Sequence, residues 1–427
     1  MRASVRFDHE LLPVEHGHDL SCLLELTTPP EPADAERRPL AIALVIDRSG
    51  SMAGDKLDVT SRSAAFLVER LAPGDRLGIV SFDDEVRLEA PLLEVGPNRA
   101  VLLAAIHAIA AGGQTNLSGG WLKGVELLSP LDESFTRRTL LLTDGRANVG
   151  VVDDLQLAKM ARASAGDGIG TSTVGFGEGF SEDLLAAMAD AGNGGAYFAE
   201  GPDAAPSIFA QEFEDLLSLV AQNVSIEIRP AWDEVKLLTV LNDFPQVPVD
   251  GGVQLQLGDA YGDEQRRIVF RLHVPSLATL GPSKIADVII RYVEIGEQVA
   301  MHQVAVPLIV NAVSADDAAA SVPDAQVVEE VVILLGARAQ EEARALADTG
   351  DYEGARAKLT EAAKELRARA AGSERADELI AQADSWEQRA ETLAPESWQM
   401  DRKRMTYENR TIKERRDRPS RQDQELP

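Results

Sequence analysis

The alternation of strand-like and helix-like segments between residues 39 and 221 constrains the fold most strongly. Near-continuous apolar runs such as LAIALVI and LLLT alternate with helix-spaced segments such as KLDVTSRSAAFLVERL and EDLLAAMADAG. A continuous apolar run is typical of a parallel strand that is covered on both faces. Strands that alternate with helices predict a doubly wound, Rossmann-like α/β sheet. We therefore expect an α/β domain over 39–221, with its final helix at 206–222.

The segments on both sides of this region predict a different, antiparallel domain. Residues 1–38 contain two strand-like segments, ASVRF and LSCLLELTT, and residues 222–312 contain six more, separated by turn clusters such as DGG and GPSK. Short strands divided by turn residues are typical of antiparallel sheets and sandwiches. We expect the N-terminal strands to complete this β-sandwich-like domain, so that the α/β domain is inserted into it.

The last part of the chain is predicted to be helical and then flexible. Residues 313–396 are alanine-rich and amphipathic, which favours a helical hairpin or bundle. Residues 397–427 are highly charged, locally basic and poor in aliphatic side chains. Such composition predicts a charged flexible tail, which we expect to dock on an acidic surface, including one of this chain itself.

Composition excludes several classes of function. The formal net charge of -28 argues against nucleic acid as the partner of the whole chain, because phosphates repel it. The single cysteine, Cys22, excludes a disulfide framework and favours a reducing compartment. The N-terminus has no apolar segment of the signal-peptide type, and no apolar run approaches the length of a membrane span. We therefore expect a cytoplasmic protein.

Five oxygen-bearing side chains are predicted to converge at one edge of the α/β sheet. The first strand ends in DRSGS, which contains Asp47, Ser49 and Ser51, and LLLTDG places Asp144 at the end of the fourth strand. In the strand order 3-2-1-4-5-6 these two strands are neighbours where the order reverses. The loop AGGQTNLSGG carries Thr115 toward the same edge. Two carboxylates and three hydroxyls suit Mg²⁺, or Mn²⁺ or Ca²⁺, better than Zn²⁺.

This set of residues resembles the metal-ion-dependent adhesion site of von Willebrand factor type A domains. The resemblance rests on Asp47-x-Ser49-x-Ser51, on Thr115 and Asp144 in their order, and on the α/β pattern over 39–221. It implies that these five residues coordinate the ion, directly or through water, and that an aspartate or glutamate of a protein partner completes the shell. The flanking β segments and the missing signal peptide are similar to the intracellular bacterial members.

The resemblance implies a non-enzymatic, metal-dependent protein-interaction module, an intracellular adaptor or regulatory scaffold. It also implies that the metal site is coupled to movement of the final helix, 206–222. Three alternatives stay open. Asp47 and Ser49 would act only as caps of the helix that starts near Lys56. The chain would be a metal-dependent phosphoester hydrolase, which needs a base or a second metal near Asp47. In the third alternative, the chain is a scaffold whose helices and basic tail bind the partner, and the metal has only a structural role.

Two further acids follow the second strand of the α/β domain. Asp83 and Asp84 stand directly after RLGIVSF, at the same edge as the predicted metal site. Adjacent aspartates in a loop are typical of solvated positions. We expect both to be solvated acids near the site.

Overall fold

The computed structural model describes residues 1–30, 38–144, 147–177, 179–199, 208, 212, 214–295, 300–371, 373 and 375–417. These residues divide into two compact units. Those between 38 and 219 form one unit, and the segments before and after them form the other. The α/β unit is therefore an insertion in the chain of the second unit.

The strands and helices are numbered in chain order over the described residues. The strands are β1 Arg2–Phe7, β2 Leu11–Pro13, β3 His18–Thr27, β4 Leu40–Asp47, β5 Arg76–Phe82, β6 Val86–Glu94, β7 Thr136–Thr143, β8 Ile169–Phe176, β9 Asn193–Ala199, β10 Leu219–Pro230, β11 Lys236–Val240, β12 Gln246–Val249, β13 Gly252–Tyr261, β14 Gln265–Val274, β15 Gly281–Glu294, β16 Ala300–Val313 and β17 Arg416–Asp417. The helices are α1 Asp55–Arg70, α2 Val95–His107, α3 Leu117–Leu128, α4 Asp154–Gly166, α5 Glu182–Ala191, α6 Ala315–Ala319, α7 Ala325–Asp348, α8 Tyr352–Ala370, α9 Ala376–Thr392 and α10 Trp398–Glu414.

The α/β unit contains the predicted sheet, with strand order β6-β5-β4-β7-β8-β9. Counted within this unit, that is the expected order 3-2-1-4-5-6. All pairs are parallel except β5 with β6. Every residue of β4, β7 and β8 is buried, whereas β6 and β9 at the edges are partly exposed. The apolar runs of the sequence are therefore the central strands, because helices cover both of their faces.

Strand pairing fixes the edge at which the candidate site lies. β4 and β7 run parallel and in register, with Ile46 opposite Leu142. Their last residues, Asp47 and Thr143, therefore reach the same edge of the sheet, and Asp144 follows directly. This edge is also the place where the strand order reverses, since β4 has β5 on one side and β7 on the other.

Two helix boundaries of the α/β unit differ from the predicted ones. Helix α3 begins at Leu117, inside the predicted glycine-rich loop, because the Asn116 side chain accepts a hydrogen bond from the Gly119 N–H and caps it. The predicted final helix, 206–222, lies largely outside the described residues; within it, residues 208, 212 and 214–217 are helical. Residues 219–222 are not helical, because β10 begins at Leu219 and pairs with β15.

The second unit contains two sheets that are almost entirely antiparallel. One has the order β1-β3-β14-β11, with β17 also paired to β14, and the other has the order β12-β13-β10-β15-β16-β2. A single apolar cluster joins their facing sides, with Cys22 and Phe270 from the first sheet and Ile226, Ile290 and Leu308 from the second. The alternating strands of the sequence thus form a sandwich. Sequence patterning missed β2 and β12, which are too short to show a period.

The segment expected to be a flexible tail is folded as far as residue 417. Helix α10 spans Trp398–Glu414, and β17 then adds to the sheet beside β14. The expectation was wrong because the charges of this segment are paired. Arg415 donates to Glu330 on α7 from Nε and Nη2, both at 2.7 Å, and Arg416 donates to Glu264 from Nε at 2.7 Å. Met405 and Ile412 add apolar burial to this ion pairing. The last part of the predicted tail, 418–427, lies outside the described residues.

The helices α7, α8 and α9 follow the predicted amphipathic segments. Their apolar faces meet in a cluster that includes Ile333, Leu366 and Trp386. Within the described ranges, no helix combines the length and the apolar character that crossing a lipid bilayer requires.

Candidate metal centre

Asp47 ends β4 with its carboxylate buried and held by neutral donors. Its Oδ1 accepts a hydrogen bond from the Ser49 N–H at 2.8 Å, and its Oδ2 accepts one from the Thr143 hydroxyl at 2.5 Å. The residue is 0% exposed. A short 3₁₀ turn, Gly50–Met52, follows, and the buried Met52 anchors it in the core. The carboxylate is therefore oriented by the strand end and by the turn together.

Asp144 is tied to the same turn by side-chain hydrogen bonds. The Ser51 hydroxyl donates to Asp144 Oδ1 at 2.7 Å, and the Ser51 and Ser49 hydroxyls lie 3.2 Å apart. The Lys56 ammonium, from the first turn of α1, donates to Asp144 Oδ2. Asp144 is 1% exposed. The structure thus brings Asp47, Ser49, Ser51 and Asp144 together in one group of oxygens, with Lys56 beside it.

Thr115 lies on a loop that is fixed beside this group. The Gly112 N–H donates to the Arg48 carbonyl at 2.7 Å, and the Gly50 N–H donates to the Gly113 carbonyl at 3.0 Å. The Thr115 N–H donates to Asn148 Oδ1 at 2.9 Å. Of the five predicted residues, Thr115 alone has no side-chain hydrogen bond to the others among the contacts of the described residues. Its place near them is set by the backbone of its loop.

Asp83 is a structural acid of this edge, and the expectation that it is solvated was wrong. Its Oδ2 lies 2.7 Å from Arg48 Nη2, and both side chains are buried. Burial acts to raise the pKa of Asp83, but hydrogen bonds from the Gly113 and Glu85 N–H groups, together with Arg48, hold that pKa below its usual value. Gly112 passes so close that an added Cβ would lie 2.0 Å from Asp83 Oδ2. Asp84, in contrast, is exposed as predicted.

The helix-cap interpretation of Asp47 and Ser49 is wrong. Helix α1 begins after Gly54, and no side chain caps its N-terminus. The Asp47 carboxylate instead bonds to the Ser49 N–H and to Thr143, which belongs to another strand. These two residues therefore serve the edge of the sheet and not the start of the helix.

The electrostatics of the site favour a bound cation. Burial is the main cause that raises the pKa of Asp47, and the nearby charge of Asp144 adds to it. Among the described residues, no lysine or arginine forms an ion pair with Asp47, whereas Asp144 has Lys56. The one ammonium pairs with Asp144 and leaves Asp47 without a cation among the described residues. A cation bound between the two carboxylates would offset the cost of keeping both ionised.

The donor set fits a hard divalent ion. In the part of the chain that the structure describes, no group of three or more His, Cys, Asp and Glu side chains is placed to hold a metal. A metal here would depend on the hydroxyls of Ser49, Ser51 and Thr115 as well as on the two carboxylates. Such an all-oxygen set, with several neutral ligands, suits Mg²⁺, Mn²⁺ or Ca²⁺ and not Zn²⁺ or copper.

Three contributors escaped the sequence analysis. Thr143 hydrogen-bonds to Asp47, Asn148 fixes the Thr115 backbone, and Lys56 pairs with Asp144. For Thr143 and Asn148 we find no sequence signal. Lys56 stands beside Asp55 and Asp58 in the first turn of α1, and nothing there indicates a partner as distant as Asp144.

Comparisons with known proteins match the fold of the α/β unit. Residues 41–211 match the model of the von Willebrand factor type A domain. The chain is 28% identical to the Synechocystis sp. protein sll0103 over 78% of this chain and 80% of that protein. It is 32% identical to Escherichia coli YfbK over 45% of this chain but only 34% of that protein.

A solved structure shares the fold of almost the whole chain. The von Willebrand factor type A protein from Catenulispora acidiphila superposes with a TM-score of 0.71 at 17% identity, and the match covers 98% of this chain and 97% of that one. At this identity the likeness shows the fold alone. The sheet order and the family match together identify residues 41–211 as a von Willebrand factor type A domain.

Proposed function

We propose that this chain is a non-enzymatic, divalent-metal-dependent protein-interaction module that binds an aspartate or glutamate of its partner through the metal. Von Willebrand factor type A domains mediate protein–protein interactions, and many do so through a metal. Asp47, Ser49, Ser51, Thr115 and Asp144 would hold the ion, directly or through water. Mg²⁺ is the proposed ion, with Mn²⁺ or Ca²⁺ as substitutes.

The observation that carries the proposal is the buried Asp47 carboxylate, which has only neutral donors and lies in the same group of oxygens as Asp144. With the Lys56 ammonium included, the group has a formal excess of one negative charge. A divalent ion would convert it to an excess of one positive charge. Mg²⁺ commonly keeps water ligands, and an acidic side chain can replace one of them. The charge balance therefore favours an acidic partner over a neutral one.

The cellular role is proposed more broadly as that of an adaptor or regulatory scaffold in the cytoplasm. The support is in the sequence, whose single cysteine favours a reducing compartment. The structure places Cys22 in the apolar core of the sandwich, where it has no role in the metal centre. The helices that follow the sandwich would recruit or regulate.

Binding of acidic peptides should depend on the divalent ion. The full chain would be treated with chelator and applied, with Mg²⁺ or with EDTA, to an array of decapeptides that each contain one glutamate. A matched array with glutamine in its place controls for other contacts. We expect Mg²⁺ to strengthen binding of the glutamate peptides at least about tenfold, as expected for a charge-assisted contact to a partly dehydrated ion.

Two results would contradict the proposal. Equal binding in Mg²⁺ and in EDTA would show that the metal does not take part. Turnover of a generic phosphoester that is lost in Asp144→Ala would favour the hydrolase instead.

A further inference from the structure

Lys56 reaches from the surface to a buried carboxylate. It lies in the first turn of α1, beside Asp55 and Asp58, and its side chain is 38% exposed. Its ammonium nevertheless donates to Oδ2 of Asp144, whose side chain is 0% exposed. A cation at the N-terminus of a helix opposes the helix dipole, so the pairing with Asp144 is what holds it there.

The Lys56 ammonium and a metal ion would compete for Asp144. Asp144 Oδ1 accepts from the Ser51 hydroxyl at 2.7 Å, and Oδ2 accepts from Lys56. Both oxygens of the carboxylate are thus in use within the chain. A divalent ion held by Asp144, directly or through water, would lie close to the same carboxylate and would repel the ammonium.

The lysine stem has room to leave Asp144. Gly177, at the end of β8, lies against the stem, and a Cβ there would be 3.6 Å from Lys56 Cε. The Lys56 side chain is also 38% exposed to solvent. Because the four-carbon stem is flexible and partly exposed, the ammonium can turn outward without disturbing the core.

We propose that Lys56 exchanges between Asp144 and the partner: the metal displaces the ammonium, which then pairs with the acidic segment that the metal binds. This inference rests on the proposed function and extends it. The site would recognise acidic segments through two cations, the metal and Lys56. Lys56 would also stay paired with Asp144 at low metal concentration. The metal would therefore have to exceed a threshold concentration before it binds.

The first test measures Mg²⁺ affinity by calorimetry on the chelator-treated full chain. Lys56→Met removes the competitor, so we expect Mg²⁺ to bind about threefold to tenfold more tightly, the range of a partly exposed charge pair. Lys56→Arg keeps the charge and should stay near wild type. The control is Lys123→Met, which removes a lysine that pairs with Glu126 on α3 of the same unit. Unchanged or weaker Mg²⁺ binding by Lys56→Met would overturn the inference, since Lys56 would then only hold Asp144 in place.

The second test measures binding of a glutamate decapeptide at saturating Mg²⁺. Here we expect Lys56→Met to bind about threefold to tenfold more weakly than wild type, which is the opposite direction to its effect on the metal. Equal affinity of wild type and Lys56→Met for the peptide would contradict the proposed exchange of Lys56. If wild type bound no Mg²⁺, either alone or with the glutamate peptide present, the proposed function and this inference would both fail. If wild type binds Mg²⁺ and Lys56→Met behaves like wild type in either test, only the inference fails. Thermal melts of each variant verify folding.

Discussion

Asp47→Asn is expected to lower Mg²⁺ affinity at least about a hundredfold while leaving the chelator-treated protein as stable as wild type or more stable by about 1 kcal/mol. Asparagine keeps the size of the side chain. Its oxygen can accept from the Ser49 N–H, and the Thr143 hydroxyl can turn to accept from its amide. The substitution removes a buried charge that has no cationic partner among the described residues. Loss of binding with retained stability is typical of a residue kept for function.

The pH dependence follows from the raised pKa of Asp47, whose main cause is burial. In the unfolded chain the pKa of this carboxyl is about 3.9. Because the folded pKa is higher, the contribution to stability is fully present below the unfolded value and is lost as pH rises through the folded value. As pH rises from the unfolded pKa through the folded pKa, the free energy of unfolding of chelator-treated wild type should therefore fall relative to that of Asp47→Asn. Urea unfolding at several pH values measures the difference.

The matched control for Asp47→Asn is Asp75→Asn. Asp75 is also buried, but its carboxylate accepts from the N–H groups of Leu40 and Ala72, and Leu40 is the opposite end of β4. We expect this variant to keep wild-type Mg²⁺ affinity. A large destabilisation by Asp47→Asn, with unchanged Mg²⁺ affinity, would mean that Asp47 is structural.

Glu330→Gln should destabilise the sandwich unit by about 3–5 kcal/mol, because it removes the nearest counterion of the buried Arg415. Glu330 is fully buried on α7 and accepts from Arg415 at 2.7 Å and from Arg375, with Arg267 3.7 Å away. Burial acts to raise the pKa of Glu330, but the arginines hold it below its usual value. This stability is present above the unfolded pKa of about 4.3 and is lost as pH falls through the folded value. The difference in free energy of unfolding between wild type and Glu330→Gln should therefore decrease as pH falls.

Glu378→Gln is the control for Glu330. Glu378 pairs with the same Arg375, but its side chain is 52% exposed, so we expect an effect below about 1 kcal/mol in urea unfolding. The double variant Glu330→Gln with Arg415→Gln should recover part of the loss, since the two residues interact. Equal, small effects of Glu330→Gln and Glu378→Gln would mean that the residues after 397 are not fixed to the fold by this cluster.

The sequence predicted the α/β sheet well because its signals are local and strong. Central strands such as β4 are continuous apolar runs, and the strand order is the common order of doubly wound sheets. The meeting of Asp47 with Asp144 followed from that order alone. The metal ligation of the five residues stays a prediction, as do the coupling to the helix at 206–222 and the choice of ion.

What the sequence could not predict depends on contacts between distant residues. The helix at Trp398–Glu414 has too few aliphatic side chains to indicate folding, and it is fixed by pairs such as Arg415 with Glu330, 85 positions apart. Lys56 and Asp144 are 88 positions apart, and nothing near either one indicates the other. Asp83 is buried because it pairs with Arg48, which follows a different strand, and the sequence does not indicate that pair. Single-sequence patterns report period and composition, and they do not report such pairs.

Calorimetric titration of Mg²⁺ into the chelator-treated full chain tests the central claim most directly. Circular dichroism first verifies that wild type and Asp47→Asn are both folded. The account predicts saturable binding at one site in wild type and loss of that binding in Asp47→Asn. Absence of Mg²⁺ binding to folded wild type, both alone and with a glutamate peptide present, would contradict it.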